Sequence, residues 1–377
     1  MNGREKIDAA FSMDGSPEIA AVICYEEIFI RDHWTQLTSC PWWYHYELDI
    51  DKQMIWRRDE LTKTSQDWFI LPTFYTKEQR KNLYIDVRNE SAFLVDRCDG
   101  EERELKAPKV GGEMIIVSEW DKTIQTPEDI DDYLLLSANE NKSKMIPGDS
   151  NELAGKLIKE FGEEKHSLYH VSSPLWCCYQ LWGFEGMMTR LITQPDLIKY
   201  ACSRYLIENM EQVQLAKILG ATVIWIEECF TDMISPEMFQ TFNMPYIRPL
   251  IEEIRKTGLK SIYYYTGNPD KKMDKIIDCN ADALAFEESK KGFFTDIVEI
   301  ADIVKGRCVL LGNIDSIGVM QNGGTDELKA EIARQLNAAK KNKNRFIVSI
   351  GSPVTPSTPV EKVHLYGELV HELSKRR

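Results

Sequence analysis

Five short apolar segments in the second half of the chain each end in a polar or acidic residue and lead into a segment of helical pattern. They are ATVIWIEE (Ala221 to Glu228), LKSIYYYTGN (Leu259 to Asn268), ADALAFEE (Ala281 to Glu288), CVLLGNID (Cys308 to Asp315) and RFIVSIGS (Arg345 to Ser352). Parallel strands that helices cover on both faces are apolar throughout, and a helical crossover connects one to the next. The pattern therefore predicts an α/β fold, either a (β/α)8 barrel or a doubly wound sheet.

Two further segments fit the same pattern, one near Glu18 to Tyr25 and one that begins at Leu168, which brings the count to seven strands. Because a barrel closes only with a consistent strand number, either an eighth strand is disguised in the N-terminal third or the barrel is distorted. We expect one domain over residues 1–377.

Residues 30–125 differ from the rest of the chain. An aromatic stretch, HWTQLTSCPWWYHYELD, precedes four short β-like pieces, DWFILPTF, LYIDVRN, AFLVDRC and EMIIVSE. Short, closely spaced strands bounded by turn signals predict an antiparallel ribbon. We interpret this region as a lid or side subdomain that is inserted after the first barrel strand.

Three helix starts fix the frame of the later elements. Thr126, Ser235 and Thr358 each precede a proline and a first turn that carries an acid, the pattern of an N-cap followed by proline at the first helical position. Thr358 and Glu361 also have the spacing of a capping box. We therefore expect helices to begin at these three points.

Composition limits the function classes. The chain has 377 residues, 43% of them hydrophobic, and a net charge of -14, which opposes binding to nucleic acid because phosphate contacts need a basic face. No apolar run approaches the roughly 20 residues that span a bilayer, and no signal peptide is evident. Nine cysteines without a CxxC pair indicate reduced thiols. We expect a soluble cytoplasmic protein that binds small molecules and proteins, not membranes.

Two pairs of adjacent acids, Glu227 with Glu228 and Glu287 with Glu288, close two of the predicted strands. Neighbouring residues on a strand point to opposite sides, so one member of each pair could face a pocket at the strand ends. An inward carboxylate could bind a metal, orient a cation or transfer a proton. Alternatively, the acids cap the following helices or pair with lysines such as Lys290. The pattern does not decide which member faces inward.

Other candidates lie at or near the strand ends. His170 interrupts an apolar strand, where a lone histidine is more often a core residue than a catalytic one. Aromatic residues crowd two places, around Trp43 and over residues 263–265, and would suit a flat ring or a quaternary ammonium group, or simply pack together. The substrate-binding candidates are Tyr25, Glu26, Trp43, Tyr265, Asn268, Asn313 and Ser352.

Several stretches appear together and in a fixed order: WGFEGMMTRLITQPDLI from Trp182, GATVIWIEE, ISPEMFQTFNMPYIRPLIEEIRKTG, YYYTGN, LLGNID and GSPVTPSTPVEKV. In this order they resemble the uroporphyrinogen decarboxylase superfamily, which includes corrinoid-dependent methyltransferases and demethylases. The resemblance covers roughly residues 150–375. It implies a distorted (β/α)8 TIM barrel with its active site at the carboxyl ends of the strands.

The departures from the family motifs favour one branch. The decarboxylases carry an arginine-rich loop near the N-terminus, but this chain has CYEEIFIRDHW there, with Arg31 alone. The methyltransferases bind zinc through His-x-Cys-Gly and a later cysteine, and the matching positions here are Tyr264, Thr266 and Ser352. Zinc through the usual motif is therefore not supported, although Glu227 and Glu228 remain candidate ligands for a metal held by oxygen.

The leading hypothesis that the resemblance implies is a methyltransferase. It would move a methyl group from a small donor, best an aryl methyl ether as in an O-demethylase, to the Co(I) corrinoid (cobalamin) of a separate corrinoid protein. The residues expected to act in catalysis are Glu227, Glu228, Glu287 and His170. The alternatives are a cofactor-independent decarboxylase of the uroporphyrinogen type and an idle barrel kept for protein binding. The sequence leaves a homodimer open.

Overall fold

The computed structural model describes residues 1–111, 124–142, 151–289 and 292–376. Eight parallel strands form a nearly closed barrel in the order β1-β11-β10-β9-β8-β7-β6-β2, and three antiparallel strands form a side ribbon in the order β3-β4-β5. The strands are β1 (Ala20–Val22), β2 (Trp68–Ile70), β3 (Leu83–Arg88), β4 (Ser91–Asp96), β5 (Glu102–Leu105), β6 (His166–Ser172), β7 (Val223–Glu228), β8 (Lys260–Tyr265), β9 (Ala283–Phe286), β10 (Val309–Leu311) and β11 (Phe346–Ser349). The predicted α/β barrel is confirmed.

Helices follow most barrel strands and cover the outside. They are α1 (Gly3–Phe11), α2 (Glu26–Leu37), α3 (Ile50–Thr64), α4 (Lys77–Asn82), α5 (Pro127–Lys142), α6 (Glu152–Phe161), α7 (Pro174–Thr193), α8 (Pro195–Leu219), α9 (Pro236–Phe242), α10 (Met244–Lys256), α11 (Met273–Asp278), α12 (Ile297–Val304), α13 (Thr325–Lys341) and α14 (Val360–Lys375). Shorter helical turns occur at Trp42–Tyr46, Thr231–Met233 and Ser316–Gln321. Across the described ranges, no helix is apolar over a length that could cross a bilayer. All nine cysteines are free thiols.

The eighth barrel strand is β2, which lies in the piece DWFILPTF. Our assignment of that piece to the ribbon was wrong, because a three-residue apolar segment has no periodicity that separates a barrel strand from a ribbon strand. The pieces LYIDVRN and AFLVDRC do form ribbon strands β3 and β4. The third ribbon strand, β5, was not predicted, and EMIIVSE lies outside the described residues.

Two of the three predicted helix starts are confirmed by their caps. The Asp129 N–H donates to Thr126 Oγ1 at 3.2 Å, and the Met238 N–H donates to Ser235 Oγ at 3.2 Å. The third is wrong by one residue, because α14 begins at Val360 after Pro359 and has no side-chain cap. Thr358 instead shares a hydrogen bond with Thr355.

Side chains alternate between two apolar layers. On β7 and β8, the residues Trp225, Ile262 and Tyr264 belong to the cluster that fills the bore, and α1 closes the bottom of this cluster through Ile7 and Ala10. The intervening residues pack outward against the helices. The sheet is therefore buried on both faces, which explains why its strands are apolar throughout.

The seam between β1 and β2 is held by Asp67, which immediately precedes β2. Its N–H donates to Ala21 O at 2.9 Å, and its Oδ2 accepts from the Ala21 N–H at 2.7 Å. His371 Nε2 lies 2.8 Å from Oδ2, and Lys6 Nζ lies 3.4 Å from Oδ1. Burial raises the pKa of Asp67, but the hydrogen bond and charge of His371, with Lys6 and the Ala21 N–H, outweigh it and lower the pKa below 3.8. One carboxylate thus joins α1, both seam strands and α14.

We predict that Asp67→Asn destabilises the fold most at neutral pH. The folded-state pKa of Asp67 is lowered, so its contribution is present above the unfolded pKa of about 3.9 and is lost as pH falls through the folded value. Breaking a buried ion pair costs about 3–5 kcal/mol. Urea unfolding from pH 3 to 7 should show the difference from the original chain shrinking below about pH 4.

The control is Asp196→Asn, which removes an exposed pair with Lys199 and should change stability little at any pH. An Asp67→Asn variant as stable as the original chain at pH 6 would show that the seam does not depend on this carboxylate.

Candidate active site

Strand alternation decides which acid of the first pair faces the bore. Val223 and Trp225 on β7 belong to the bore cluster, and Glu227 continues the same face. Ile224 and Ile226 pack against the helices, and Glu228 continues that face. Glu227 therefore lies at the carboxyl end of the barrel, where ligands bind in this architecture.

The Glu227 carboxylate is held by two donors. Tyr25 Oη donates to Oε1 at 2.8 Å, and Cys229 Sγ donates to the same oxygen at 3.4 Å. Within the described ranges no residue donates to Oε2. Burial, together with the neighbouring Tyr264 and Glu227, raises the pKa of Tyr25 well above 10.0, so its hydroxyl stays protonated and keeps donating.

Tyr25 adopts an unusual backbone conformation. It is the N-cap of α2 with φ 53° and ψ 49°, the left-handed region that a residue with a β-carbon avoids. Such a conformation costs of order 1–3 kcal/mol and persists only where the surroundings impose it. Here it turns the chain sharply after β1 and directs the Tyr25 ring over the bore, edge-on to Tyr264 with ring centroids 5.6 Å apart.

Aromatic rings form the floor beneath Glu227. Trp225 lies between Trp68, at 5.9 Å, and Tyr264, at 4.8 Å between ring centroids. Tyr264 crosses the bore and donates from its hydroxyl to Gly351 O at 2.7 Å. These rings fill the barrel, so a ligand must bind above them, at the mouth.

His170, one of the predicted catalytic residues, lies on the same floor. Its ring stacks on Trp225 at 5.9 Å, with an angle of 26° between the planes. Burial lowers the pKa of His170 below 6.5, although Glu27 and Glu227 act in the opposite direction, so the ring is neutral at pH 7. It is partly exposed, and its catalytic role stays a prediction.

Glu228 does not face the pocket, so the structure does not support its predicted catalytic and metal-binding roles. It is fully buried against the helix layer, where it accepts hydrogen bonds from Tyr263 Oη at 3.1 Å and from Asn243 Nδ2. Burial raises the pKa of Glu228 to about 8, against the lowering effect of the hydrogen bonds from Ser173, Asn243 and Tyr263. The carboxyl is therefore mostly neutral at pH 7.

The second acid pair supports the loops at the mouth. Glu287 Oε2 accepts from the Gly267 N–H at 2.8 Å, and Asn313 Nδ2 donates to Glu287 O at 3.1 Å. Glu288 faces away, where its Oε1 accepts from Ser352 Oγ at 2.5 Å. The side chains of Asn313 and Ser352 thus contact protein groups in the loops. The structure does not support the prediction that these two residues line the substrate pocket. The role of Glu287 stays a prediction.

Glu26 is 2% exposed and its carboxylate contacts protein groups, so the structure does not support its predicted place in substrate binding. Gln66 Nε2 donates to Glu26 Oε2 at 2.9 Å and to Glu60 Oε1 at 3.0 Å. The Ile70 N–H of β2 lies 3.4 Å from Glu26 Oε1. Burial raises the pKa of Glu26 to about 7 and also raises that of Glu60. Glu26 therefore joins α2 to β2 rather than to a ligand.

Three other predicted binding residues also lie elsewhere. Tyr265 faces the helices and packs edge-on against Phe239, with ring centroids 6.1 Å apart. Asn268 uses its Oδ1 to accept from the Asp270 N–H at 3.0 Å within its own loop. Trp43 packs edge-on against Trp42 at 5.8 Å, and the structure records no ring contact between it and the floor in the described part of the chain.

The sequence analysis missed Trp225, Tyr264 and Cys229 as pocket residues. The alternation of side chains along the strands could have identified them. If Glu227 points inward, Trp225 and Cys229, which lie two residues away on either side, must point inward as well. As for a metal, no three His, Cys, Asp or Glu side chains of the described residues are grouped to hold one. Glu227 and Glu228 in particular point to opposite sides of the sheet. The donor set therefore does not fit a resident zinc ion.

We predict that Glu228→Gln flattens the pH dependence of stability. The folded pKa of Glu228 is about 8 against an ordinary 4.5, so the unfolded chain binds fewer protons between these values and stability falls as pH rises through them. Each unit of this shift corresponds to about 1.4 kcal/mol. Urea unfolding at pH 5, 6.5 and 8 should show the variant gaining on the original chain as pH rises.

Glu252→Gln, on the exposed face of α10, is the matched control and should leave the pH dependence unchanged. Parallel curves for Glu228→Gln and the original chain would contradict a neutral buried carboxyl.

Comparison with known proteins supports the resemblance seen in the sequence. A family model described as uroporphyrinogen decarboxylase (URO-D) matches residues 117–373. The uroporphyrinogen decarboxylase of Thermodesulfovibrio yellowstonii is 25% identical over 190 residues, which cover 50% of this chain and 48% of that protein. The enzyme of Legionella pneumophila is 22% identical over 236 residues, covering 59% of this chain and 63% of the other. The chain thus spans less than two thirds of these relatives.

A solved structure extends the likeness over the whole chain. A methyltransferase from Methanosarcina mazei superposes with a TM-score of 0.63 and covers 99% of both chains, at 15% sequence identity. At this identity the likeness shows the fold alone. The shared fold therefore includes the N-terminal third as well as the barrel.

Proposed function

The chain belongs to the uroporphyrinogen decarboxylase family, and on that premise we propose that it is a methyltransferase. It moves a methyl group from a small methylated donor to the Co(I) corrinoid of a partner protein. The observation that carries the proposal is Glu227, an inward carboxylate held beside a floor of aromatic rings. In the described part of the chain no arginine or lysine contacts Glu227 or Tyr25, whereas a polycarboxylate tetrapyrrole would need several cations.

When the partner protein docks, its corrinoid supplies the Co(I) nucleophile that accepts the methyl group. The residues of this chain position the donor, and the class we propose is an aryl methyl ether. Its flat ring would lie on the floor at Tyr25 and His170. Departure of the phenolate needs a proton or a hydrogen bond at the ether oxygen. Glu227 and His170 are the titratable groups placed to provide it, because both face the bore there.

An exposed apolar rim supports a protein partner at the same end of the barrel. Phe184, Met233, Phe294 and Ile317 all lie on segments that follow the carboxyl ends of strands, and their exposed fractions are 40%, 63%, 72% and 53%. Exposed apolar residues that lie together mark surfaces that bind proteins, whereas isolated ones are common on any protein. We propose that the corrinoid protein docks on this rim.

The name of the Methanosarcina mazei neighbour is a further reason to rank methyl transfer above decarboxylation. The names of the curated relatives favour decarboxylation, and we keep it as the second candidate. Since no metal-ligating group of three is found in the described residues, the proposal routes no step through a metal.

We predict that the two adjacent acids of β7 respond oppositely to the same substitution. Glu227→Gln removes the inward carboxylate and should lower kcat/KM for methyl transfer about 100-fold. Glu228→Gln changes a group in the helix layer and should stay within about threefold of the original rate. The assay is methylation of cob(I)alamin, followed by its visible spectrum, with methoxybenzoates, methoxyphenols and methylamines as donors.

Full activity in the Glu227→Gln variant would rule out the carboxylate model. Decarboxylation makes a different prediction, which is release of CO2 from a carboxylated ring without any corrinoid. Turnover of that kind, together with no cobalamin methylation by any donor, would establish the second candidate instead.

A further inference from the structure

We infer that Tyr25 is a positioning residue, which acts on the reaction by holding the Glu227 carboxylate rather than by touching the donor. This inference rests on the proposed function and adds a role for one further residue of the same site. Three independent observations at Tyr25 support it: a hydrogen bond, a ring contact and a strained backbone.

The hydrogen bond uses one oxygen of Glu227, and among the described residues none donates to the other. Tyr25 Oη, at 2.8 Å, and Cys229 Sγ, at 3.4 Å, both donate to Oε1. The two donors lie after β1 and after β7, and both hold the same oxygen, Oε1. In the proposed reaction Oε2 is the carboxyl oxygen that carries the proton taken up by the leaving phenolate.

The Tyr25 hydroxyl is itself committed to this contact. Burial raises the pKa of Tyr25 well above its ordinary value, so the hydroxyl stays protonated at neutral pH and can donate to Glu227. Its ring rests edge-on against Tyr264, which is anchored across the bore to Gly351. The hydroxyl therefore has a fixed position relative to the barrel.

The left-handed backbone at Tyr25 makes the placement costly, and the fold nevertheless keeps it. A tyrosine that only filled space could leave the bore and relax this strain. Phenylalanine has the same backbone preference as tyrosine, so Tyr25→Phe removes the hydroxyl and leaves the strain unchanged. This substitution isolates the hydrogen bond from the conformation of the chain.

The test is a double-mutant cycle with Tyr25→Phe, Glu227→Gln and the double variant, using cob(I)alamin as the acceptor and the best methyl donor found for the original chain. Tyr25→Phe should lower kcat about 10- to 100-fold. In the Glu227→Gln background it should change kcat less than about twofold, because the group through which it acts is already gone. KM for the methyl donor should stay within about twofold of the original value, because Tyr25 does not touch the donor.

The matched control is Tyr200→Phe, which removes another tyrosine-to-carboxylate hydrogen bond of 2.8 Å, made to Asp131 within the helix layer between α8 and α5. It should leave kcat and KM unchanged. If the effects of Tyr25→Phe and Glu227→Gln multiply in the double variant, Tyr25 acts on the donor directly and the inference is overturned.

A readout without turnover separates this inference from the proposed function. The same cycle in urea unfolding should show coupling between Tyr25 and Glu227, with the double variant less destabilised than the two single losses combined. If no donor methylates cob(I)alamin, the proposed function fails. The unfolding cycle still shows whether the contact between Tyr25 and Glu227 stabilises the fold. Additive unfolding effects would overturn the positioning role even if methyl transfer is observed.

Discussion

The alternation of side chains along each barrel strand is the constraint on which the site depends. Because the sheet is buried on both faces, every residue of β7 is assigned either to the bore or to the helix layer. Two glutamates that are adjacent in sequence consequently lie in different environments. Glu227 meets a hydroxyl and a thiol at the mouth, whereas Glu228 is buried against Tyr263 and Asn243 with its pKa raised to about 8.

The same constraint explains what the sequence could predict. Long apolar strands before helices were sufficient for the barrel, since that pattern comes from burial on both faces. The same pattern could not predict the direction of each side chain, because the register of a strand is set by its neighbours and not by its own residues. We predicted that Tyr265 faces the pocket, but Tyr264 does. A shift of one residue along a strand moves a side chain to the opposite face of the sheet.

Short or unusual elements were missed for other physical reasons. The strand β2 has only three residues and is held in the barrel by Asp67, whose carboxylate accepts a hydrogen bond from the Ala21 N–H across the seam. A tertiary contact of this kind leaves no pattern in the local sequence. The buried polar residues Glu26 and Asn313 were taken for binding residues because polar side chains at strand ends occur both in binding sites and in contacts that support loops. Only their partners, Gln66 and the loop backbone, separate the two roles.

The Glu227–Glu228 pair also bears on the kind of ligand the mouth accepts. Two ionised carboxylates side by side would repel each other, and burial of Glu228 as a neutral acid removes that repulsion. Among the described residues, none donates to Glu227 Oε2, and the rings of His170 and Trp225 lie on the floor beside it. A ligand with many carboxylates finds little to bind among these groups. A compact ligand that stacks on a ring and takes up one proton at its leaving oxygen matches them, which is the physical reason for preferring methyl transfer to decarboxylation.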